Sequence, residues 1–173
     1  ECLVTNDQYT TLSYVVEGGG RSCWSKLHEP LAYEMGQYAF INFPQISPVE
    51  WHPFSICSSP ADPLTTHTIK SMGVGTWTDD LLQLAKQYPK GKGLQMNVDG
   101  PYGLAVDHKK YLRLVLVAGG IGITPLHSIA RSLYILGKQG HPIPEIHLIW
   151  IVKEEKLHYH FLTEQITVGT LTK

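Results

Sequence analysis

Three glycines within four positions give this sequence its first chemical signal. They occupy positions 119, 120 and 122, directly after a short apolar run at residues 114–118 that is typical of a buried strand. Thr124 then offers a helix N-cap and Pro125 a first helical residue. A helix N-terminus presents unpaired N–H groups and a partial positive charge, which suit a phosphate. Taken alone, such a cluster is more simply explained by a tight strand-to-helix turn without a ligand.

The residues around these glycines narrow the kind of site. No Gly-Lys-Ser/Thr follows, so the turn is not a P-loop, and no third glycine follows at the spacing of G-x-G-x-x-G. Apolar residues at Leu126, Ile129, Leu133 and Leu136 recur at helical spacing and predict a helix over residues 125–136. The sequence therefore predicts a strand, a glycine turn and a helix in direct succession.

The chain ahead of this turn consists mainly of short β-type runs separated by Gly and Pro. Such a pattern is typical of a small barrel or sandwich. The predicted strands cover residues 11–17, 38–43, 54–58, 65–70 and 94–98. One helix is predicted at residues 78–88, with Thr78 as its N-cap and Asp79 and Asp80 in its first turn.

The pattern changes after about residue 103. Residues 112–118, 125–136 and 146–152 indicate a strand, a helix and a strand, and a further helix is expected at residues 159–167. The predicted fold class is therefore α+β with α/β. A small antiparallel β-barrel at residues 1–103 is followed by a partial parallel-sheet βαβ domain at residues 104–173.

Composition excludes several other classes of protein. The net charge is −1 and no long Lys/Arg cluster occurs, so nucleic-acid binding is not expected. Cys2, Cys23 and Cys57 are odd in number and form no C-x-x-C, which indicates neither a disulfide framework nor a zinc site and favours a reducing compartment. The nine histidines show no metal-binding spacing, so no metal is expected. No apolar run has transmembrane length.

Five short motifs recur along the chain in a fixed order. They are Trp-His-Pro-Phe-Ser-Ile at 51–56, Ile-Lys at 69–70, Gly-Thr-Trp-Thr at 75–78, Gly-Pro-Tyr-Gly at 100–103 and Gly-Gly-Ile-Gly-Ile-Thr-Pro at 119–125. This series resembles the flavin- and nicotinamide-binding portion of the ferric reductase and NADPH oxidase superfamily, whose members are membrane relatives of ferredoxin–NADP reductase. The resemblance covers roughly residues 36–152, and its specificity comes from five motifs in register.

The resemblance implies an FAD site on the segment that contains His52, Pro53, Phe54 and Ser55. Phe54 would offer a flat face along the flavin, and His52 would contact FAD. Ser55 takes the position whose hydroxyl lies near flavin N5, where the family more often has Thr. It is the one residue expected to have a catalytic role. On this motif alone, a proline-kinked strand with a buried Phe would be the simpler interpretation.

The same resemblance assigns the FAD pyrophosphate to two neighbouring segments. Lys70, after Ile69, would pair with the pyrophosphate as a point charge. Gly75, Trp77 and Thr78 would open the helix that presents N–H groups to it. A solvated strand end for Lys70 and a plain N-cap for Thr78 are the alternatives without a ligand.

The remaining motifs imply the boundary of the FAD domain and the NADPH site. A tight turn near the cofactors is expected from four residues, Gly100, Pro101, Tyr102 and Gly103. The pyrophosphate and nicotinamide ribose of NADPH would lie on a second set, Gly119, Gly120, Gly122, Thr124 and Pro125. Lys153 would meet the 2′-phosphate of NADPH, although the acidic residues that follow it suit the ribose 2′-hydroxyl of NADH. NADPH is preferred on family grounds.

The resemblance implies an NAD(P)H-dependent flavoprotein oxidoreductase that is membrane-bound in its parent chain, with this portion on the cytosolic face. A hydride would pass from NADPH to FAD, and single electrons would pass on to haem in a membrane domain of the same parent chain. The final acceptor, chelated ferric iron or dioxygen, and the oligomeric state remain open. Because the chain ends shortly after the second βαβ strand, it is expected to be C-terminally truncated. The alternatives are a soluble NAD(P)H–flavin reductase and a truncated, non-catalytic FAD-binding or interaction module.

Overall fold

The computed structural model of the chain describes residues 2–6, 8–17, 28–29, 31–88 and 91–152. The β-rich part contains strands β1 (Cys2–Asn6), β2 (Tyr9–Tyr14), β3 (Val16–Glu17), β4 (His28–Glu29), β5 (Tyr38–Asn42), β6 (His52–Ser55), β7 (Thr65–Lys70) and β8 (Asn97–Tyr102), with helix α1 (Trp77–Gln87) before β8. The βαβ part contains β9 (Arg113–Gly119), α2 (Ile123–Lys138) and β10 (Glu145–Ile151). The helix predicted at residues 159–167 lies outside the described residues.

Two antiparallel three-stranded sheets form most of the β-rich part, in the orders β1-β2-β7 and β6-β5-β8. Side chains alternate between faces along a strand. Accordingly, Ala39 and Ile41 are fully buried, while Tyr38 and Phe40, which alternate with them, are only partly covered. α1 packs its apolar stripe against this core, which is formed by Leu12, Ile41, Phe43, Ile69, Trp77, Leu81 and Ala85.

β9 and β10 form a parallel pair connected by α2. Their register runs from Arg113 opposite Glu145 to Gly119 opposite Ile151. α2 covers one face of this pair through Ile129, Ala130 and Leu133. The predicted fold class, antiparallel β followed by parallel βαβ, is confirmed. No helix in the described part of the chain is both long enough and apolar enough to cross a membrane.

The N-cap predicted for α1 is wrong by two residues. α1 begins at Trp77, and its N-cap is Thr76, whose hydroxyl accepts a hydrogen bond from the Asp79 N–H at 3.3 Å. Thr76 has the extended backbone of an N-cap, whereas Thr78 lies inside the first turn. The Thr78 hydroxyl accepts instead from the Met72 N–H at 2.9 Å, so it ties the preceding loop to the helix.

The N-cap predicted for α2 is also wrong. Gly122 occupies this position without a side-chain hydrogen bond, and α2 begins at Ile123. Thr124 and Pro125 therefore lie within the first turn, and the Thr124 hydroxyl donates to the Ile121 carbonyl at 3.1 Å. Pro125 fits there because the first-turn N–H groups have no acceptor within the helix.

Several strand boundaries also differ from the predictions, and the strand predicted at residues 11–17 is divided into β2 and β3. The strand predicted at residues 54–58 is β6, which begins earlier and ends at Ser55. The strand predicted at residues 94–98 is β8, which continues through Gly100 and Pro101, so these residues do not form the predicted turn. A Cβ on Gly100 would lie only 3.0 Å from the Cβ of Ala39, so a glycine lets β8 pass close to β5.

α2 docks onto residues 57–62, which we call the docking loop, through polar contacts. The Ser128 hydroxyl donates to the Ser58 carbonyl at 2.7 Å, and His127 Nδ1 donates to the Cys57 carbonyl at 2.8 Å. One turn further, Arg131 donates from Nε and from a terminal nitrogen to the two Asp62 carboxylate oxygens, both at 2.6 Å. The βαβ part is thereby held directly to the chain that follows β6.

The Asp62–Arg131 ion pair is only partly accessible to water, with 13% and 31% of the two side chains exposed. Burial alone would raise the pKa of Asp62. Hydrogen bonds from Arg131 and the Ser59 N–H, together with the guanidinium charge, outweigh it and hold this pKa below its ordinary value. The pair therefore stabilises the folded chain when Asp62 is ionised.

Asp62→Asn keeps the side-chain size but removes the charge. We expect it to lower the free energy of unfolding at neutral pH by about 1–2 kcal/mol, because Arg131 loses its carboxylate. Since the folded-state pKa of Asp62 lies below the unfolded value, the stabilisation exists above about pH 4 and is lost as the pH falls through the folded pKa. Urea unfolding of both chains over this pH range measures the difference.

The control is Asp107→Asn, whose carboxylate pairs with Lys110 at 3.0 Å in an exposed ion pair. Exposed pairs contribute little to stability, so this variant should unfold like the parent chain. A stability difference for Asp62→Asn that stays constant to the lowest pH would contradict the assigned role.

Candidate functional site

The side chains of β6 point to both faces of its sheet. Ser55 lies opposite Tyr38 of β5, and Phe54 lies opposite Ala39. Directly opposed residues share a face. Phe54 therefore points towards the core, where its ring stacks on Trp77 at 5.8 Å between centroids. Ser55 points to the other face, and the same alternation places Pro53 on the face of Ser55.

His52 and Trp77 contain buried polar atoms without hydrogen-bond partners. Their rings lie 4.4 Å apart between centroids. Among the described residues, neither His52 Nε2 nor Trp77 Nε1 finds a partner, although both atoms are buried. Buried polar atoms in native proteins are nearly always hydrogen-bonded. The pair therefore fits a bound polar ligand at the junction of β6 and α1.

Lys70 ends β7 on the face opposite the core. Its Nζ lies 5.8 Å from the centroid of the Tyr9 ring, and Tyr9 packs in a cluster with Ile123 and Trp150. No carboxylate in the described part of the chain forms an ion pair with Lys70. Its ammonium group thus lies where the β-rich part meets the βαβ part. Ile69 is 2% exposed and belongs to the core, so only its backbone can face a ligand.

The loop before α1 is open. Gly73 and Gly75 have φ angles of +106° and +83°, and a Cβ on either would meet nothing within 4 Å. The first turn of α1 offers N–H groups, but Asp79 and Asp80 in that turn add negative charge. An anion at this helix end would therefore need the cation of Lys70 nearby.

Gly100, Pro101 and Tyr102 continue β8, and Gly103 follows it. Gly103 has a φ of +94°, and a Cβ there would lie 3.3 Å from the Tyr38 ring. The Tyr102 hydroxyl donates to Asp99 Oδ2 at 2.8 Å. Gly100 and Gly103 are thus explained by close packing against β5. Gly103 lies against Tyr38 on the sheet face that carries Ser55, whereas Gly100 lies against Ala39 on the face of Phe54.

The glycine turn has the predicted position but is not crowded. Gly119 ends β9, and a single 3₁₀ turn, Gly120–Gly122, leads into α2. A Cβ on Gly119, Gly120 or Gly122 would meet nothing within 4 Å. Only Gly120, with a φ of +49°, needs a glycine-type backbone. Packing against the described residues does not explain the other two glycines, and the open space above them fits a bound group such as a pyrophosphate.

Trp150 of β10 supports the glycine turn through a side-chain hydrogen bond. Its Nε1–H donates to the Gly120 carbonyl at 2.8 Å, and its side chain is 5% exposed. Sequence reasoning did not find this contact, because a Trp in an apolar strand carries no sign of a partner 30 residues away. Lys153, predicted to meet the 2′-phosphate, lies outside the described residues.

Sequence reasoning also missed His67, the docking loop and its contacts with α2. His67 is fully buried on β7 and bonds to Ser55. A single His in a Thr-rich strand gives no sequence signal for such a contact. The described residues contain no group of three His, Cys, Asp or Glu side chains that could hold a metal ion.

Comparison with protein families agrees with this geometry. The model of an FAD-binding domain matches residues 23–106, and that of a ferric reductase NAD binding domain matches residues 111–166. The two matches together cover most of the chain. They adjoin at the segment between β8 and β9.

Individual proteins are also similar to this chain in sequence. The putative respiratory burst oxidase homolog protein G of Arabidopsis thaliana is 40% identical over 115 residues, covering 58% of this chain and 13% of the relative. A superoxide-generating NADPH oxidase heavy chain of Dictyostelium discoideum is 33% identical over 144 residues, covering 73% of this chain and 27% of the relative. This chain therefore spans about a quarter or less of the length of these relatives.

Solved structures show the fold. The flavohaem-like FAD/NAD binding domain of nitric oxide dioxygenase from Vibrio cholerae matches with a TM-score of 0.62 and 18% identity, covering 99% of this chain and 77% of that chain. At this level of identity, the match establishes a shared architecture of a β-rich part followed by a parallel βαβ part.

Trp150→Phe tests the support of the glycine turn. Phe keeps the ring in the apolar cluster but cannot donate to the Gly120 carbonyl. We expect the free energy of unfolding to fall by about 1 kcal/mol, with faster amide hydrogen exchange at Gly120 and Gly122. Trp51→Phe, at a partly exposed tryptophan, is the control and should leave exchange in the turn unchanged. Unchanged exchange in Trp150→Phe would show that the hydrogen bond does not hold the turn.

Proposed function

Because this chain belongs to the ferric reductase and NADPH oxidase superfamily, we propose that it forms the FAD- and NADPH-binding part of a membrane electron-transfer enzyme. The expectation of FAD and NADPH as cofactors is confirmed. The NADPH oxidase relatives support an NAD(P)H-dependent flavoprotein oxidoreductase as the activity of the parent chain. The parent chain would carry the haem domain in the membrane, with this portion on its cytosolic face. The name of the Dictyostelium relative, superoxide-generating, favours dioxygen over a ferric chelate as the final acceptor.

One observation carries the proposal: β7, which ends at Lys70, contacts the glycine turn. Lys70, whose charge suits the FAD pyrophosphate, therefore ends a strand that contacts the glycine turn, which is open and suits the NADPH pyrophosphate. Ile121 of the glycine turn also packs against the cluster of Tyr9, Ile123 and Trp150, which joins the β-rich part to the βαβ part. We place the division between the two domains at residues 1–103 and 104–173.

We assign the FAD site to the residues on β6, the end of β7, the start of α1 and the end of β8. These are His52, Pro53, Phe54, Ser55, Ile69, Lys70, Gly75, Trp77, Thr78, Gly100, Pro101, Tyr102 and Gly103. The unpartnered His52 Nε2 and Trp77 Nε1 support this site. Lys70 would neutralise the pyrophosphate, and Ser55 would offer its hydroxyl to flavin N5.

We assign the NADPH site to the glycine turn and the residues that follow it. These are Gly119, Gly120, Gly122, Thr124, Pro125 and Lys153. The open space above Gly119 and Gly122 supports this assignment. Thr124 is 7% exposed and its hydroxyl donates to Ile121, so it shapes the turn from within.

The side chains of this chain need not act as acids or bases. FAD, when bound, accepts two electrons and releases them singly, which is the chemistry that haem requires. The chain's own residues bind the cofactors, orient them and neutralise their phosphates. The Ser55 hydroxyl can donate a hydrogen bond at the flavin edge without losing its proton.

Retention of FAD after desalting tests the flavin assignment. The parent chain should keep the flavin absorption bands. Phe54→Ala and Lys70→Glu should each weaken binding about tenfold or more, because they remove the ring beside Trp77 or reverse the charge at the pyrophosphate. Lys86→Glu makes the same charge change at an exposed position near the other end of α1, and it should bind FAD like the parent.

A folded parent chain that neither retains nor titrates FAD would contradict the flavin assignment. It would leave the alternative of a non-catalytic module. Circular dichroism and melting curves establish folding for each variant, so that lost binding can be separated from lost structure.

Gly119→Ala tests the dinucleotide assignment. The φ of Gly119 is −114°, which alanine adopts freely, and its Cβ would meet nothing within 4 Å in the described part of the chain. We therefore expect unchanged stability but about tenfold weaker binding of NADPH to the FAD-loaded chain, because the methyl group takes the space of the pyrophosphate. Calorimetric titration measures it. NADPH binding equal to that of the parent would remove the turn from the site.

A further inference from the structure

We propose that His67 is a positioning residue that fixes the backbone of Ser55 at the flavin edge by bridging the two sheets of the β-rich part. The inference deepens the proposed FAD site and rests on it for the role of Ser55. The bridge itself is a feature of the chain alone. It assigns a function to a buried histidine that no recognised motif contains.

The His67 bridge connects two strands that belong to different sheets. β6 belongs to the sheet β6-β5-β8 and β7 to the sheet β1-β2-β7, so the two strands do not pair along their length. His67 of β7 is fully buried, and its Nδ1 lies 3.0 Å from the Ser55 carbonyl oxygen. Its Nε2 lies 2.9 Å from the Tyr14 hydroxyl on β2. One imidazole ring thus connects three strands.

The partners determine which nitrogen carries the proton. A carbonyl oxygen can only accept, so Nδ1 donates to Ser55, and the unprotonated Nε2 accepts from the Tyr14 hydroxyl. Burial lowers the pKa of His67 to about 4 and raises that of Tyr14, so both groups stay neutral around neutral pH. The bridge therefore has a single direction, from Tyr14 through His67 to Ser55.

The His67 bridge lies at the point where the backbone after β6 stops hydrogen-bonding to one sheet and starts hydrogen-bonding to the other. The Ile56 N–H still donates to the Gln37 carbonyl at the start of β5, at 3.0 Å. The next N–H, that of Cys57, donates to the Thr66 carbonyl of β7 at 2.8 Å. Ser55 is therefore the last residue of β6 before the backbone leaves one sheet for the other. A fixed Ser55 carbonyl fixes the direction in which the Ser55 side chain leaves the strand.

Two substitutions separate the two ends of the imidazole. In His67→Asn the amide nitrogen can take the place of Nδ1 and donate to Ser55. In His67→Gln the amide reaches the Nε2 end, near Tyr14, and Ser55 loses its donor. Both variants lose the ring, so a purely space-filling role for His67 predicts similar defects in the two.

The experiment measures FAD affinity, the flavin absorption spectrum and the flavin reduction potential of each folded variant. We expect His67→Gln to bind FAD about tenfold more weakly and to shift the spectrum and potential, because Ser55 is no longer held. His67→Asn should restore affinity to within about twofold of the parent, with the parent spectrum.

The control is Thr66→Val on the same strand. It removes the hydrogen bond between the Thr66 and Ser13 hydroxyls, at 3.2 Å, without touching Ser55. It should lower stability slightly and leave the flavin properties unchanged. Equal defects in His67→Asn and His67→Gln, or parent-like flavin properties in His67→Gln, would overturn the proposal.

A measurement on the unaltered chain covers the case in which His67→Gln does not fold. Nitrogen NMR of ¹⁵N-histidine-labelled chain should show His67 with a protonated Nδ1, and this resonance should shift when FAD is added. Protonation at Nε2 instead, or a His67 resonance whose chemical shift does not change when FAD binds, would overturn the proposal. If the chain binds no FAD at all, the proposed FAD site fails, whereas the tautomer still decides whether the bridge to Ser55 exists.

Discussion

The polar docking of α2 onto the docking loop is the contact on which the geometry of the site depends. The docking loop begins two residues after Ser55, and α2 begins directly after the Gly120–Gly122 turn. One interface therefore fixes the residues of the proposed FAD site relative to those of the proposed NADPH site. It consists largely of directional hydrogen bonds, such as those from Ser128 to Ser58 and from Arg131 to Asp62. Because hydrogen bonds weaken steeply when misaligned, this interface specifies orientation more strictly than apolar packing alone would.

Four of the motif glycines fall into two physical groups. Gly100 and Gly103 are required by the chain itself, since a Cβ at either would press against β5. Gly119 and Gly122 have ordinary backbone angles and no neighbour of the Cβ position among the described residues, so nothing in that part of the chain requires them to be glycine. The first group explains why β8 can lie so close to β5. The second group leaves room for a bound group, and its position at the end of β9 and the start of a helix suits a phosphate.

Much of the fold was predictable from local patterns, whereas the supporting contacts were not. Alternation and turn residues located β5 and β7, and apolar spacing located α2 to within about two residues at each end. The caps were missed because several candidate residues lie close together, and the backbone angle of Thr76 decides between it and Thr78. The motif residues of the site were found only through the family resemblance, and their contacts with cofactors remain predictions. His67 and Trp150 escaped because their partners are set by the meeting of separate sheets and strands.

The position of Ser55 is determined from three directions. β5 holds it through the pairing with Tyr38, β7 holds its carbonyl through His67, and α2 holds the following loop through Ser128. A flavin site needs little acid–base chemistry from the protein, so its side chains serve mainly to place the cofactor. Placement within a fraction of an ångström requires supports that do not move independently. A neutral, fully buried imidazole meets this requirement better than a charged group would, because it adds no net charge beside the proposed flavin site and its burial does not leave an unpaired charge.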